Sequence, residues 1–310
     1  MNHLTITTAE LAKICGVSQG TVDRALNNRA DIKAETKQHI LRVAREYGYR
    51  DLVAPPRPER SVGQIGIVIF NLNNEYFSRL VTEIEFILRG LGLSAVVMMT
   101  HYDRQCEIEC IRNLYNMGVK GIILCSIGSG VEYHNYLNLF RVPIVAVGNN
   151  IGGVPYVGVN DRAAMQDMTE RVLGEGYQNI IYFSPALRYP NAHSQRARYE
   201  GFLRTVGEKN HTVLTDIGDI QQAYDRSTAI ICSTDYYALQ VYFKAKGVRI
   251  TGFDNLDIME KYGIEIDSVG YSAAEVAKTA VDIILGSCEA KTRIVGHVIA
   301  EHRHNASKEN

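Results

Sequence analysis

Along the first fifty residues the apolar positions recur at helical spacing in short bursts. Leu11, Ile14, Val17, Val22 and Leu26 make one seam, and Ile32, Ile40, Val43 and Tyr47 mark a third segment that stops at Gly48. Thr7 and Glu10 have the spacing of a capping box, with Ile6 and Leu11 set as a hydrophobic staple around it, which starts the first helix at about Thr8. Gly16 breaks that helix, and Ser18 is placed to cap the next one by accepting from the backbone of Gly20 or Thr21. Two short helices across a tight turn, backed by a third, predict an all-α helix-turn-helix head over residues 1–49.

The pattern changes at Gln64. Short β-rich runs, QIGIVIF, SAVVMMT, GIILC and PIVAVG, alternate with helix-period segments around 76 to 91 and 104 to 117. A second series follows: a helix around 161 to 174, NIIYFS, a helix around 195 to 208, AIICS, a helix around 235 to 246, and RITGF. Such alternation builds parallel sheets from βαβ units, and two series predict a two-lobed α/β body over residues 64–310. The connector, RDLVAPPRPERSVG at 50–63, holds Pro55, Pro56 and Pro58, which disfavour a continuous helix. It reads as a solvated spacer, or as an extended arm that sets Arg57 and Arg60 on phosphates or in a minor groove.

Charge sharpens this division. The 310-residue chain carries 33 Lys+Arg and 34 Asp+Glu, a net charge of -1. Residues 1–60 hold 10 basic against 7 acidic side chains, leaving 23 against 27 for the rest, so a basic head (+3) precedes an acidic body (-4). A small nucleic-acid-binding head fits that asymmetry. No run of 18 apolar residues occurs and the N-terminus lacks the features of a signal peptide, so a cytoplasmic chain without membrane contact is expected.

Candidate chemistry narrows the classes further. The six cysteines are scattered without CxxC spacing and read as reduced, core-like thiols; Cys106, Cys110 and His101 make an incomplete zinc set, so no metal is expected. No P-loop, GxSxG, HExxH or GxGxxG with a following acid is present, and the adjacent His193 and Ser194 do not supply a triad. Neither catalytic residues nor a cofactor are expected.

The stretch Thr7 to Asn28 matches TxxELAxxxGVSxxTVxRxLNN, followed by a third helix and Gly48-Tyr49. Over these fifty residues the chain resembles the lac/gal repressor family of bacterial transcription regulators. The resemblance implies base reading at Gln19, Gly20 and Arg24 and backbone contacts from Thr7, Ser18, Asn27 and Thr36, with Thr21 beside them. Asp23 stands where the family commonly has Ser, placed either to accept from a cytosine amino group or to orient Gln19. Lys33 stands where a capping hydroxyl is usual, and the family's hinge-helix residues are absent from the connector.

The body resembles the type I periplasmic-binding-protein fold that serves this family as effector domain. That implies lobe one at about 64–157 plus 270–288 and lobe two at about 161–267 plus 292–304, with a ligand between lobes at the carboxyl ends of the strands. The loop Asn71 to Phe77 looks like a ribose-type binding loop, which nominates Asn74, Tyr76 and Phe77. Arg198 of RxxGF, Asp254 of GFDN, Thr234 and Asp235 in place of the usual Asn-Asp, and Tyr271 at the later crossover complete the implied effector set. Plainer readings stand beside these: Phe77 as a core residue of its helix, Arg198 as a surface ion pair, Asp254 as a helix cap. The whole implies a ligand-responsive repressor that binds a near-palindromic double-stranded DNA operator as a homodimer and senses a small carbohydrate. The alternative is a sugar sensor whose head makes protein contacts.

Overall fold

The computed structural model describes residues 6–26, 29, 31–49, 63–189, 192–288 and 291–302. Asn27 and nearly all of the connector lie outside the described residues. The chain divides into two compact units, Met1–Leu72 with Val81–Val157 and Ala277–Arg293, and Asn73–Leu80 with Gly158–Val276 and Ile294–Asn310.

In the first unit the head is three helices, α1 (Thr8–Cys15), α2 (Gln19–Leu26) and α3 (Ala34–Glu46). Both halves of the Thr7/Glu10 capping box form, and Gly16 closes α1 in the left-handed region at φ 67°, returning its N–H to the carbonyls of Ala12 and Lys13. Ser18 Oγ accepts from Thr21 N at 3.2 Å, the capping bond expected at the start of α2. Leu11, Ile14, Val22, Ile40, Val43 and Tyr47 are buried. Lys33 precedes α3 with no side-chain cap bond, so its ammonium stays exposed.

Lobe one carries a six-stranded sheet of order β11-β5-β4-β3-β1-β2. Its elements are β1 (Gln64–Ile69), α4 (Glu75–Gly90), β2 (Ser94–Met99), α5 (Arg104–Asn116), β3 (Gly121–Leu124), α6 (Val131–Leu137), β4 (Ile144–Val147) and β5 (Tyr156–Val159), completed by β11 (Thr292–Val295). Every residue of β3 and β4 is buried, as central parallel strands covered on both faces require, whereas β2 at the edge is open along much of its length.

The second unit holds a sheet of order β12-β10-β9-β8-β6-β7. It is built from α7 (Asp161–Gly174), β6 (Asn179–Phe183), α8 (His193–Val206), β7 (His211–Leu214), β8 (Thr228–Cys232), α9 (Asp235–Lys244), β9 (Arg249–Phe253), α10 (Asp257–Lys261), β10 (Asp267–Tyr271) and β12 (His297–Ala300), while most of α11 (Ala273–Ile284) belongs to the first unit. The strands of this sheet pair parallel, as expected of βαβ units, except that β12 joins β10 antiparallel; an antiparallel edge strand is a common ending for a doubly wound sheet. Helices α7 and α8 pack closely because Gly201 has no side chain: a Cβ there would run into the backbone of Arg162.

All six cysteines are free, and the thiols of Cys106 and Cys110 point to the carbonyl of Met99. Among the described residues no group of three metal-ligating side chains is present, and no helix is long and apolar enough to cross a membrane.

Candidate functional site

The first candidate surface is the outer face of the head. Ser18, Gln19, Gly20 and Arg24 are exposed on α2, while Val22 and Ala25 turn into the head's core. Ser18 Oγ and Thr21 Oγ1 are 2.8 Å apart, and Arg24 reaches Thr21 Oγ1 at 3.5 Å, so one hydroxyl chain runs along the start of the helix. Asp23 faces Arg29, 3.3 Å away, an ion pair that the motif reading did not bring out. Thr7 spends its hydroxyl on the capping box, and Thr36 lies half-buried in the first turn of α3.

The second candidate lies in the second unit and is centred on Arg198. Its position in α8 is buried, and its guanidinium donates from Nε to Asp161 Oδ1 at 2.7 Å, from Nη1 to the Ser233 carbonyl at 2.7 Å and from Nη2 to Asp254 Oδ1 at 3.4 Å. Its face lies 3.5 Å from the centre of the Phe253 ring. The surface-ion-pair reading of Arg198 is therefore excluded by its burial. Asp254 is no helix cap either, since Leu256 occupies the cap position of α10.

The turn that carries Asp254 is strained. Asp254 and Asn255 both have positive φ, 105° and 46°, which costs about 1–3 kcal/mol each unless the surroundings hold them. They are held: Asp254 N donates to Val269 O, Asn255 N to Ser268 Oγ, and Leu256 N to Asp235 Oδ2 at 2.8 Å. Asp235, wholly buried, also accepts from Ser268 Oγ at 2.6 Å. Asp235 thus braces the turn that presents Asp254. Thr234 accepts from Tyr237 N and caps α9.

Tyr76, Tyr271 and Phe253 form an aromatic wall near this cluster, with ring centres 4.8 Å apart for Tyr76 and Tyr271 and 6.2 Å for Phe253 and Tyr271. Phe77 meets the wall through the edge of Tyr76, at 5.4 Å. Asn74 fixes the entry to α4 by accepting from Tyr76 N at 2.9 Å. Asp161 and Arg79 are not among the residues nominated from the sequence; Asp161 belongs to Asn160-Asp161, which departs from the family's Asp-Asn, and Arg79 bonds Asp257 at 2.7 Å and the Asn255 carbonyl at 3.3 Å.

The electrostatics follow from burial. Desolvation lifts the carboxyl of Asp254 to about 6 against the pull of Arg198, and lifts that of Asp235 to about 8, with the charge of Asp254 adding to the effect. Asp161 is raised for the same reason and partly restored by Arg198. Burial opposes the charge of Arg198, but Asp161 and Asp254 hold it more firmly protonated than a free arginine. Chemically, the cluster offers carboxylate acceptors, guanidinium donors and an aromatic face.

A model of periplasmic binding proteins and the sugar-binding domain of the LacI family matches residues 62–302, and one of bacterial regulatory proteins of the lacI family matches residues 7–51. The chain is 23% identical to catabolite control protein A of Priestia megaterium over 91% of its length and 92% of the relative's. It is 23% identical to the sucrose operon repressor of Staphylococcus xylosus, covering 95% of both chains. Its fold is similar to that of a chain of the lac repressor dimer bound to operator and the anti-inducer ONPF, with a TM-score of 0.64 over 96% of this chain and 98% of that one at 16% identity. The head and the body each match their own part of one architecture in the expected order, and the chain belongs to the LacI family of bacterial regulatory proteins.

Proposed function

We propose that the protein is a transcription regulator that represses by binding a near-palindromic operator as a homodimer in the cytoplasm and that its operator affinity responds to an uncharged carbohydrate. The observation that carries this reading is the combination, in one chain, of an exposed α2 face with a buried guanidinium shared by two carboxylates. Gln19, Asp23 and Arg24 would read base edges, while Ser18, Thr21, Lys33 and Thr36 would anchor on phosphates. One small head binds DNA weakly, and a two-fold dimer reading half-sites a helical turn apart remedies that. Exposed Phe86 and Leu91 beside the open edge strand β2, and exposed Tyr236 and Phe243 on α9, offer apolar surface for a second copy.

Charge argues for the uncharged ligand. Arg198 is engaged by Asp161 and Asp254, and Arg79, whose charge also reaches Asp254, is paired with Asp257. A phosphorylated sugar would meet carboxylates, whereas hydroxyls can donate to Asp161 and Asp254 and accept from Arg198. The ring's apolar face would stack on Tyr76 and Tyr271. Titration calorimetry with paired sugars tests this: neutral mono- or disaccharides should bind and their phosphorylated forms should bind at least tenfold more weakly. Tighter binding of the phosphorylated partner would reverse the assignment.

A further inference from the structure

The head is docked on lobe one of its own chain, and the contact is specific. Tyr47, just after α3, is wholly buried, with its ring centre 4.5 Å from that of Tyr136 on α6. Arg112 of α5 donates to the Tyr47 carbonyl, Asn135 of α6 donates to the Ile14 carbonyl at 3.3 Å, and Glu132 lies 3.2 Å from His39 and 3.4 Å from Arg42. Apolar residues of the head and of lobe one join in one continuous core.

Arg104, the first residue of α5, stands at the centre. Its Nη2 reaches Tyr47 Oη at 3.3 Å and Glu46 Oε1 at 3.3 Å, both in the head, and its guanidinium lies over the Tyr133 ring at 4.0 Å. On the other side it abuts the loop 126–130 at the carboxyl end of β3, where a side chain on Gly128 would collide with Arg104 and with the Tyr133 ring. That loop is itself fixed: buried Glu107 accepts from Ser126 Oγ at 2.7 Å, from Ile127 N at 2.9 Å and from the Tyr133 hydroxyl, while Asn149 Nδ2 donates to the Ser126 and Gly128 carbonyls. Carboxyl-end loops are where ligands meet a parallel sheet.

We propose that Arg104 and Tyr47 form a latch between the head and lobe one, and that the loop 126–130 sets it through Gly128, Tyr133 and Glu107. The head is then oriented through α5 and α6 as well as through the proline-rich connector. The latch does not mask the face of α2, whose Ser18, Gln19, Gly20 and Arg24 stay exposed; it fixes the direction in which that face points. A ligand that favours one loop arrangement shifts the population of latched heads. This consequence for regulation rests on the reading of the head as a DNA-binding unit; the latch itself does not.

The test is amide hydrogen exchange on the full-length protein without DNA or sugar. Arg104→Gln and, separately, Gly128→Ala should speed exchange of the amides at 40–49 about tenfold and leave the strands of the second unit unchanged. Unchanged exchange at 40–49 in Arg104→Gln would remove the latch, and unchanged exchange in Gly128→Ala would remove the loop's control of it. If Arg104→Gln also loosens the strands of lobe one, Tyr47→Leu decides instead, because it keeps an apolar side chain at that position while removing the hydroxyl and ring that reach Arg104 and Tyr136. A protein that shows the latch yet binds no duplex would retain this inference and lose the regulator reading.

Discussion

Replacing Arg198 by methionine removes one cation and leaves Asp161 and Asp254 buried without it, at 2.7 and 3.4 Å from where its nitrogens stood. Breaking a buried pair by deleting one partner costs about 3–5 kcal/mol, a large share of the roughly 5–15 kcal/mol that holds a domain together. For a unit of this size each kcal/mol moves the midpoint by about 2–4 °C, so the transition of the second unit should fall by roughly 6–20 °C. The sign of the pH dependence is fixed as well. Without the guanidinium, desolvation lifts both carboxyls further above their unfolded values, so the folded variant holds protons that the unfolded chain releases, and its stability falls as pH rises. Calorimetric unfolding should therefore show a smaller loss at pH 5 than at pH 8. Adding Asp161→Asn should recover about 1–3 kcal/mol relative to additive losses, because the two side chains interact directly. A midpoint shift under 2 °C, or strictly additive losses, would refute the claim that this cluster is a coupled buried charge centre.

Three further outcomes follow from named contacts. Asp235 keeps its proton in the fold up to about pH 8, whereas an unfolded aspartate loses it near 4; stability should fall between those values by up to about 1.4 kcal/mol per pH unit, and Asp235→Asn should flatten the curve, as urea titrations at several pH values will show. Gly201→Ala sets a Cβ against the backbone of Arg162 and should destabilise the second unit by about 1–3 kcal/mol in the same assay, while an unchanged midpoint would mean that α7 and α8 are not in contact there. In duplex-binding measurements Asp23→Ser should relax preference at one base pair more than it alters the salt slope, and Arg29→Ala should lower that slope by about 1 if the pair presents Arg29 to a phosphate; a uniform affinity gain in Asp23→Ser would mark the aspartate as merely repulsive.

Much of this architecture is legible in the sequence where local signals agree. The capping box, Gly16 and the apolar seam place the head's helices, and the alternation of β-rich and helix-period runs places the central strands and the long helices of the body. Short elements escape: α6 is VEYHNYL, seven residues after a glycine-rich loop, and its buried Tyr133 and Tyr136 carry hydroxyls that blur the pattern. Strands β11 and β12 are four residues each, the first mostly exposed and the second mostly half-buried, and are separated by a single glycine. At the site, Arg198 and Asp254 are marked by motifs, whereas Asp161 joins them only through a contact 37 residues apart in the chain. Asp235 shows the converse: the motif marks its position, but only the fold reveals that its carboxyl group holds the strained Asp254 turn. Glu107 lies in CEIEC with no local signal to single it out, and its role shows only where Ser126, Ile127 and Tyr133 converge on it.

The central claim, that this chain is a sequence-specific regulator, is tested most directly by selecting bound duplexes from a random DNA pool with the purified full-length protein at a stated salt concentration. The account predicts a near-palindrome whose half-sites lie about one helical turn apart, each with a fixed base opposite Arg24. Recovery of no sequence preference at any salt, from protein whose head is folded, would contradict it and turn the head into a protein-contact module.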